Sequence, residues 1–213
     1  MRNNAFTLAE VLITLGIIGV VAALTLPSII QKYRNQVVET RLKHFYSTIN
    51  QAIARAEADY GDRNLWFEEV GGENKLKWMK KYLLPYMNII KYETNNEKLG
   101  LTSGVPIYYL ANGSAFSSIN GGNVNRDWVF WPNDPHKCPV NKHENFGVCA
   151  FWFFYSPNSV GHFRSKGIEP WGIDKTIEDA YDNCKNTDVR YYCTAYIAKN
   201  GWKIPKDYPW KVR

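Results

Sequence analysis

The sequence predicts an α+β protein in which one long N-terminal helix packs on a small antiparallel sheet. Three observations lead there. Within the 21 positions from Phe6 to Leu26 there is one charged residue, Glu10. From Ile30 to Ala56 apolar residues recur at spacings near three and four, the period of an amphipathic helix. Farther on, Ala111-Asn112-Gly113-Ser114 separates the apolar runs Ile107–Leu110 and Ala115–Ser117, and Asn-Gly in that setting is a strong hairpin signal.

The first element is apolar all round. The 16 residues from Val11 to Leu26 carry no charge and only two threonines as polar groups. A helix of about 21 residues spans roughly 31 Å, close to the hydrocarbon thickness of a bilayer. A helix of a soluble core would keep a polar face, and this segment has none. Arg2 precedes the run as it would in a secretory signal, but no small-x-small site closes the run before Pro27-Ser28-Ile29. A simple membrane anchor has no use for the carboxylate of Glu10, which is unfavourable in an apolar span unless something pairs with it.

The helix is expected to continue past Pro27, which removes one backbone donor and loosens it there. Ile30, Tyr33, Val37, Leu42, Phe45, Ile49, Ala52, Ile53 and Ala56 form the apolar stripe, with Lys32, Arg34, Arg41, Lys43, Gln51 and Arg55 between them. Gly61 ends the helix, giving a rod about 80 Å long. A second helix is expected over Asn74–Leu84, with Asn74 as N-cap, Leu76, Met79 and Leu83 inward, Lys75, Lys77 and Lys81 exposed, and Pro85 as the stop. Strands follow in the hairpin, at Trp128–Trp131 and at Gly147–Tyr155; the last is apolar almost throughout and reads as central. Beyond Ser156 the turn formers Pro157, Gly161, Gly167, Pro170 and Gly172 leave room for few regular elements, with a short helix at Ile173–Tyr181.

Composition narrows the function. At 213 residues, 45% apolar and 22% charged, the chain is neither disordered nor of low complexity. The net charge of +6 is spread among interleaved acids and suits solubility better than a nucleic-acid track. No Gly-x-Ser-x-Gly elbow supports a hydrolase. His136, Cys138, His143 and Cys149 are too loosely spaced for a structural zinc site, and Cys149 falls in a predicted strand. Residues 128–213 hold 18 of the 32 aromatics, which reads as a heavily aromatic core, with a carbohydrate-stacking surface as the alternative.

The stretch Ala5-Phe6-Thr7-Leu8-Ala9-Glu10-Val11-Leu12-Ile13, followed by the apolar run and Pro27, resembles the type IV pilin and type II secretion pseudopilin superfamily over about 30 residues. Leu110-Ala111-Asn112-Gly113-Ser114 and the segment Tyr196–Trp210 resemble parts of some prepilin-type proteins as well. Ala5 stands where the family normally has Gly. The resemblance implies a pilin-like fold with a leader at 1–5, a transmembrane and filament-core half-helix at 6–27, an amphipathic half at 28–60 and a periplasmic or extracellular head at 61–213. It implies cleavage between Ala5 and Phe6 by prepilin peptidase, N-methylation of Phe6, and an assembly role for Glu10, whose charge would neutralise the amino group of another subunit's Phe6. Pro27 falls at the twenty-second mature position, where many pilins also carry a kinking Pro.

The implied function is structural rather than enzymatic, with no cofactor: a subunit of a type IV pilus-like or type II pseudopilus filament. Its partners would be other pilin or pseudopilin subunits, an inner-membrane assembly platform, and the bacterial inner membrane before assembly. The head would lie outside the cytoplasm, later in an envelope or extracellular filament. The other reading is a membrane-anchored extracytoplasmic module binding glycan or DNA. Translocation implies an oxidising compartment, which favours two local disulfides, Cys138–Cys149 and Cys184–Cys193, among the three pairings open to four cysteines. Pilin-like domains often close a C-terminal loop with a disulfide, which favours Cys184–Cys193 further. Some pseudopilins bind calcium in a C-terminal loop; the acids Glu169, Asp174, Glu178, Asp179, Asp182 and Asp188 offer oxygen ligands but no Asp-x-Asp-x-Asp loop, and a solvated surface is the plainer expectation.

Overall fold

A computed structural model describes residues 7–66, 72–94, 96–119, 126–159 and 164–213. Helix α1 runs without a break over Leu8–Tyr60 and passes through Pro27. It ends at Gly61, whose φ of +77° suits a residue without a Cβ and whose N–H donates to the Glu57 carbonyl at 3.0 Å. In the first half the hydroxyls of Thr14, Thr25 and Ser28 donate back to the carbonyls of Val11, Val21 and Thr25, so these polar groups are satisfied within the helix.

The head is one sheet of six antiparallel strands in sequence order: β1 (Ile89–Glu93), β2 (Ile107–Leu110), β3 (Ala115–Ser118), β4 (Asp127–Trp131), β5 (Phe151–Phe154) and β6 (Glu169–Pro170). Gly113, at φ +82°, closes the expected hairpin between β2 and β3. Both faces are covered. Phe116, Trp128, Phe130, Phe151 and Phe153 meet Leu42, Phe45, Ile49 and Ile53 of α1. On the opposite face Ile107, Val129, Trp131 and Trp152 pack against Leu99, Val140, Phe146 and the disulfide Cys138–Cys149. A sheet buried on both sides reads as continuous apolar runs rather than alternation, and β2 to β5 are buried at every position.

Several boundaries differ from expectation. The stripe of α1 engages the head only from Val38 onward; Ile30 and Tyr33 remain 47% and 67% exposed and Val37 is half-buried. The head ends near that level, where Gln31 Nε2 donates to the Val212 carbonyl at 3.2 Å. Helix α2 (Gly72–Tyr82) starts two residues before Asn74, so Asn74 lies inside the helix and is not its cap. Only glycine fits at this first position, because a Cβ on Gly72 would overlap the Gly104 carbonyl. Lys75 is buried rather than exposed, with Nζ 3.2 Å from Ser118 Oγ. The helix stops at Tyr82, and Pro85 falls within a following 3-10 turn, Leu84–Tyr86.

Of Gly147–Tyr155 only Phe151–Phe154 is strand, and it is fifth of six rather than central. The preceding residues turn instead: the Asn145 carbonyl accepts from the N–H groups of Val148, Cys149 and Ala150 at 3.0–3.1 Å, and Gly147 takes φ +72°. Cys149 therefore lies in this turn and not in a strand. Helix α3 (Ile177–Lys185) begins later than Ile173 because the Thr176 hydroxyl accepts from the Asp179 N–H at 3.0 Å and fixes the start there. Helix α4 (Cys193–Lys199), not anticipated from the turn-rich sequence, packs on α3 through Ala180, Ala195 and Tyr196, joined by the disulfide Cys184–Cys193. The C-terminal segment then returns to α1, where buried Glu39 accepts from Lys203 Nζ and the Ile204 N–H, both at 2.9 Å.

Candidate assembly segment and head surface

The first half of α1 is the only described helix long and apolar enough to cross a membrane; its mean hydropathy over 18 residues is 2.3 and none of that window is buried. Ala5 and Phe6 lie outside the described residues. Glu10 is at the start of the helix, in the third position after its N-cap, Thr7. The Thr7 hydroxyl accepts from the Glu10 N–H at 3.2 Å, and the Glu10 carboxylate accepts from the Thr7 N–H and hydroxyl, each at 2.9 Å. This is a reciprocal capping box, satisfying donors that a helix start otherwise leaves unpaired. Thr7 was missed as a functional residue, although Thr-x-x-Glu before an apolar run is the signature of such a box. Pro27 continues the helix but leaves the Ala23 carbonyl without its usual backbone donor.

Residues 28–212 match the model of a family of unknown function (DUF6613). The chain belongs to that family. Residues 1–26 match the prokaryotic N-terminal methylation motif, so this stretch is a prepilin cleavage segment of the type IV pilin and pseudopilin kind. The DUF6613 match thus begins just beyond the methylation motif, at Ser28, with Pro27 between the two matches, while the helix itself runs on across that boundary. No curated protein and no solved structure matches the chain. The prepilin segment and the exposed apolar helix together fit membrane anchoring before assembly.

On the DUF6613 head, the possible ligands of the rejected zinc reading are otherwise engaged. Cys138 and Cys149 are bonded to each other, His136 Nε2 lies 3.0 Å from Glu93 Oε2, and His143 Nδ1 contacts the Asp188 carbonyl. The C-terminal acids are dispersed: Asp174 pairs with Lys175, Asp182 pairs with Lys185, and Glu178 and Asp179 sit in the first turn of α3. Among the described residues no three His, Cys, Asp or Glu side chains gather as a metal site.

Glu93, at the end of β1, gathers several polar partners. Lys91 Nζ donates to it at 2.6 Å and Tyr109 Oη at 2.8 Å. These bonds, with that of His136, outweigh partial burial and hold its carboxyl down at about 2, against an ordinary 4.5. Tyr109 is pushed up in turn, by burial first and then by the adjacent carboxylate. The cluster is an ion-pair network at a sheet edge that ties β1 and β2 to the turn carrying His136.

Proposed function

We propose that this protein is a structural subunit of a type IV pilus-like or type II secretion pseudopilus filament, drawn from the bacterial inner membrane after prepilin peptidase cleaves between Ala5 and Phe6. The observation that carries this reading is the division of one continuous helix. Its first half is apolar and unburied, and its second half is committed to the head. So much apolar surface must be removed from water, by lipid at first and by neighbouring helices after assembly.

In this reading residues 1–5 are the leader, 6–27 the filament-core half, 28–60 the amphipathic half and 61–213 the head, facing an oxidising compartment where its two disulfides persist. Glu10 neutralises the α-amino group of a neighbouring Phe6, and Pro27 gives the helix a softened point at the edge of the core. The partners are the peptidase, other pilin-like subunits and an inner-membrane assembly platform. The role is mechanical and needs no cofactor. Intact mass of the native protein tests it: a species of 208 residues (213 less the five of the leader), beginning at Phe6, one methyl group heavier and co-isolated with sheared filaments, is the expected result. Retention of Met1–Ala5 in cells with active peptidase would overturn it.

A further inference from the structure

A cleft of about 420 Å³ opens on the face of the sheet opposite α1. Its walls come from distant parts of the chain: Arg126 and Asp127 at the start of β4, Trp152 in β5, Trp171 just after β6, and Tyr191 with Tyr192 before α4. The rings hold one another in place. Tyr191 meets Trp152 edge to face at 5.4 Å, and Trp171 leans on Phe154 at 5.3 Å. Tyr192 lies against Gly172, where a Cβ would overlap its ring. Arg126 faces Asp127 through two contacts of 3.2 Å, Nε to Oδ1 and the guanidinium NH2 to Oδ2, and its guanidinium carbon is 5.8 Å from the centre of the Trp171 ring.

We propose that this cleft binds a neutral pyranose saccharide. A pyranose ring has an apolar C–H face that packs on flat aromatic rings, and a rim of hydroxyls that both donate and accept. Mutually packed aromatic walls supply the first complement at little entropic cost. The Asp127 carboxylate and the Arg126 guanidinium supply the second, an acceptor and a fork of donors side by side. The volume lies in the range of small-ligand sites, and walls of aromatic rings with few polar groups are their usual composition. The charges of Arg126 and Asp127 offset each other, which favours an uncharged ligand; single-stranded nucleic acid is held by a cationic groove. The inference concerns the head alone and stands apart from filament assembly.

The test uses the full chain in amine-oxide micelles, since glycoside detergents would compete. Saturation-transfer NMR with glucose, galactose, mannose and N-acetylglucosamine is expected to show ring-proton contact for at least one of them. Trp171→Ala is expected to weaken that binding about ten-fold with the near-UV circular dichroism of the core retained. If Trp171→Ala loses its fold, Trp171→Phe and Asp127→Asn decide: the first retains binding within about three-fold and the second loses about ten-fold. Absence of contact with all four sugars, undiminished binding in a folded Trp171→Ala or in Asp127→Asn, or displacement of the sugar by oligo(dT) or a proline-rich peptide would each overturn the proposal.

Discussion

Replacing Phe45 by Ala perturbs the joint between α1 and the sheet at its centre. The Phe45 side chain is wholly buried, with its ring centroid 4.5 Å from that of Phe130, 5.2 Å from Phe116 and 5.3 Å from Phe153. Burying an aromatic ring removes about 150–250 Å² from water, roughly 4–6 kcal/mol at about 25 cal/mol per Å² as an upper bound. Phe→Ala changes in cores measure about 3–5 kcal/mol, a large part of the roughly 5–15 kcal/mol that stabilises a domain. For a head of this size that is a fall in Tm of about 6–20 °C. Tyr33→Ala is the internal control. It lies on the same helix three turns earlier, is 67% exposed, and should change stability by no more than about 0.5 kcal/mol. Thermal unfolding of the full chain in micelles, followed by near-UV circular dichroism, reads the aromatic core and not the apolar half of α1. Filament incorporation should show the opposite sensitivity, with Tyr33→Ala impaired while its head is intact. Equal falls in Tm for the two variants, or a Phe45→Ala loss below about 1 kcal/mol, would refute the division of the helix on which the functional reading rests.

Three further predictions concern single sites. Because the folded state holds the Glu93 carboxyl near 2 and the unfolded chain near 4.5, its stabilising contribution is complete above about pH 4.5 and is lost as the pH falls toward 2. Glu93→Gln should therefore be less stable than the parent at pH 7 and converge with it near pH 2; a gap independent of pH in urea midpoints would show that the network is electrostatically inert. Gly147→Ala should destabilise the head by about 2–5 kcal/mol in chemical denaturation, since it combines a φ of +72° with a Cβ that overlaps the Cys193 side chain. Glu10→Gln should insert and be cleaved normally yet fail to enter filaments, as read by comparing sheared and membrane fractions; normal incorporation would assign Glu10 to the helix cap alone.

What the sequence reveals of this fold depends on how locally each element is determined. The long helix, its end at Gly61 and the Asn112-Gly113 hairpin rest on spacing and turn chemistry that a few neighbouring residues settle. Gly147–Tyr155 reads as one strand because apolar content alone does not separate a buried turn from a buried strand; the left-handed Gly147 and the triply accepting Asn145 carbonyl break it. Helix α4 escapes because Tyr192 offers no side-chain cap and Cys193-Thr194-Ala195-Tyr196-Ile197 mixes β-branched and aromatic residues; α3 and the disulfide to Cys184 hold it. Lys75 reads as exposed by charge and is drawn inward by Ser118, 43 positions away. The aromatic cleft is legible only as an excess of rings, since Asp127 and Trp152 meet through strand pairing and Trp171 and Tyr191 join them from turns far along the chain.

Glu10 is the residue for which local and intermolecular explanations compete most directly. The capping box gives it a local task, accepting from the Thr7 N–H and hydroxyl at the point where the helix begins. That task requires an acceptor, not a charge, and Gln fills the same position in capping boxes. A neutral side chain is also the less unfavourable one in a segment that rests in lipid. Capping therefore accounts for a hydrogen-bonding residue at position 10, and the helix dipole favours a carboxylate there by only about 0.3–1 kcal/mol, less than the roughly 2.5–3.5 kcal/mol that a charge costs deep in lipid. A cation introduced nearby would supply the missing reason, and the proposed cleavage before Phe6 would create one: an α-amino group two residues ahead of Leu8, available to neighbours if apolar helices pack together in a filament. The cap would then hold the Glu10 carboxylate at the helix start in the membrane, ready for the exchange of a local partner for an intermolecular one.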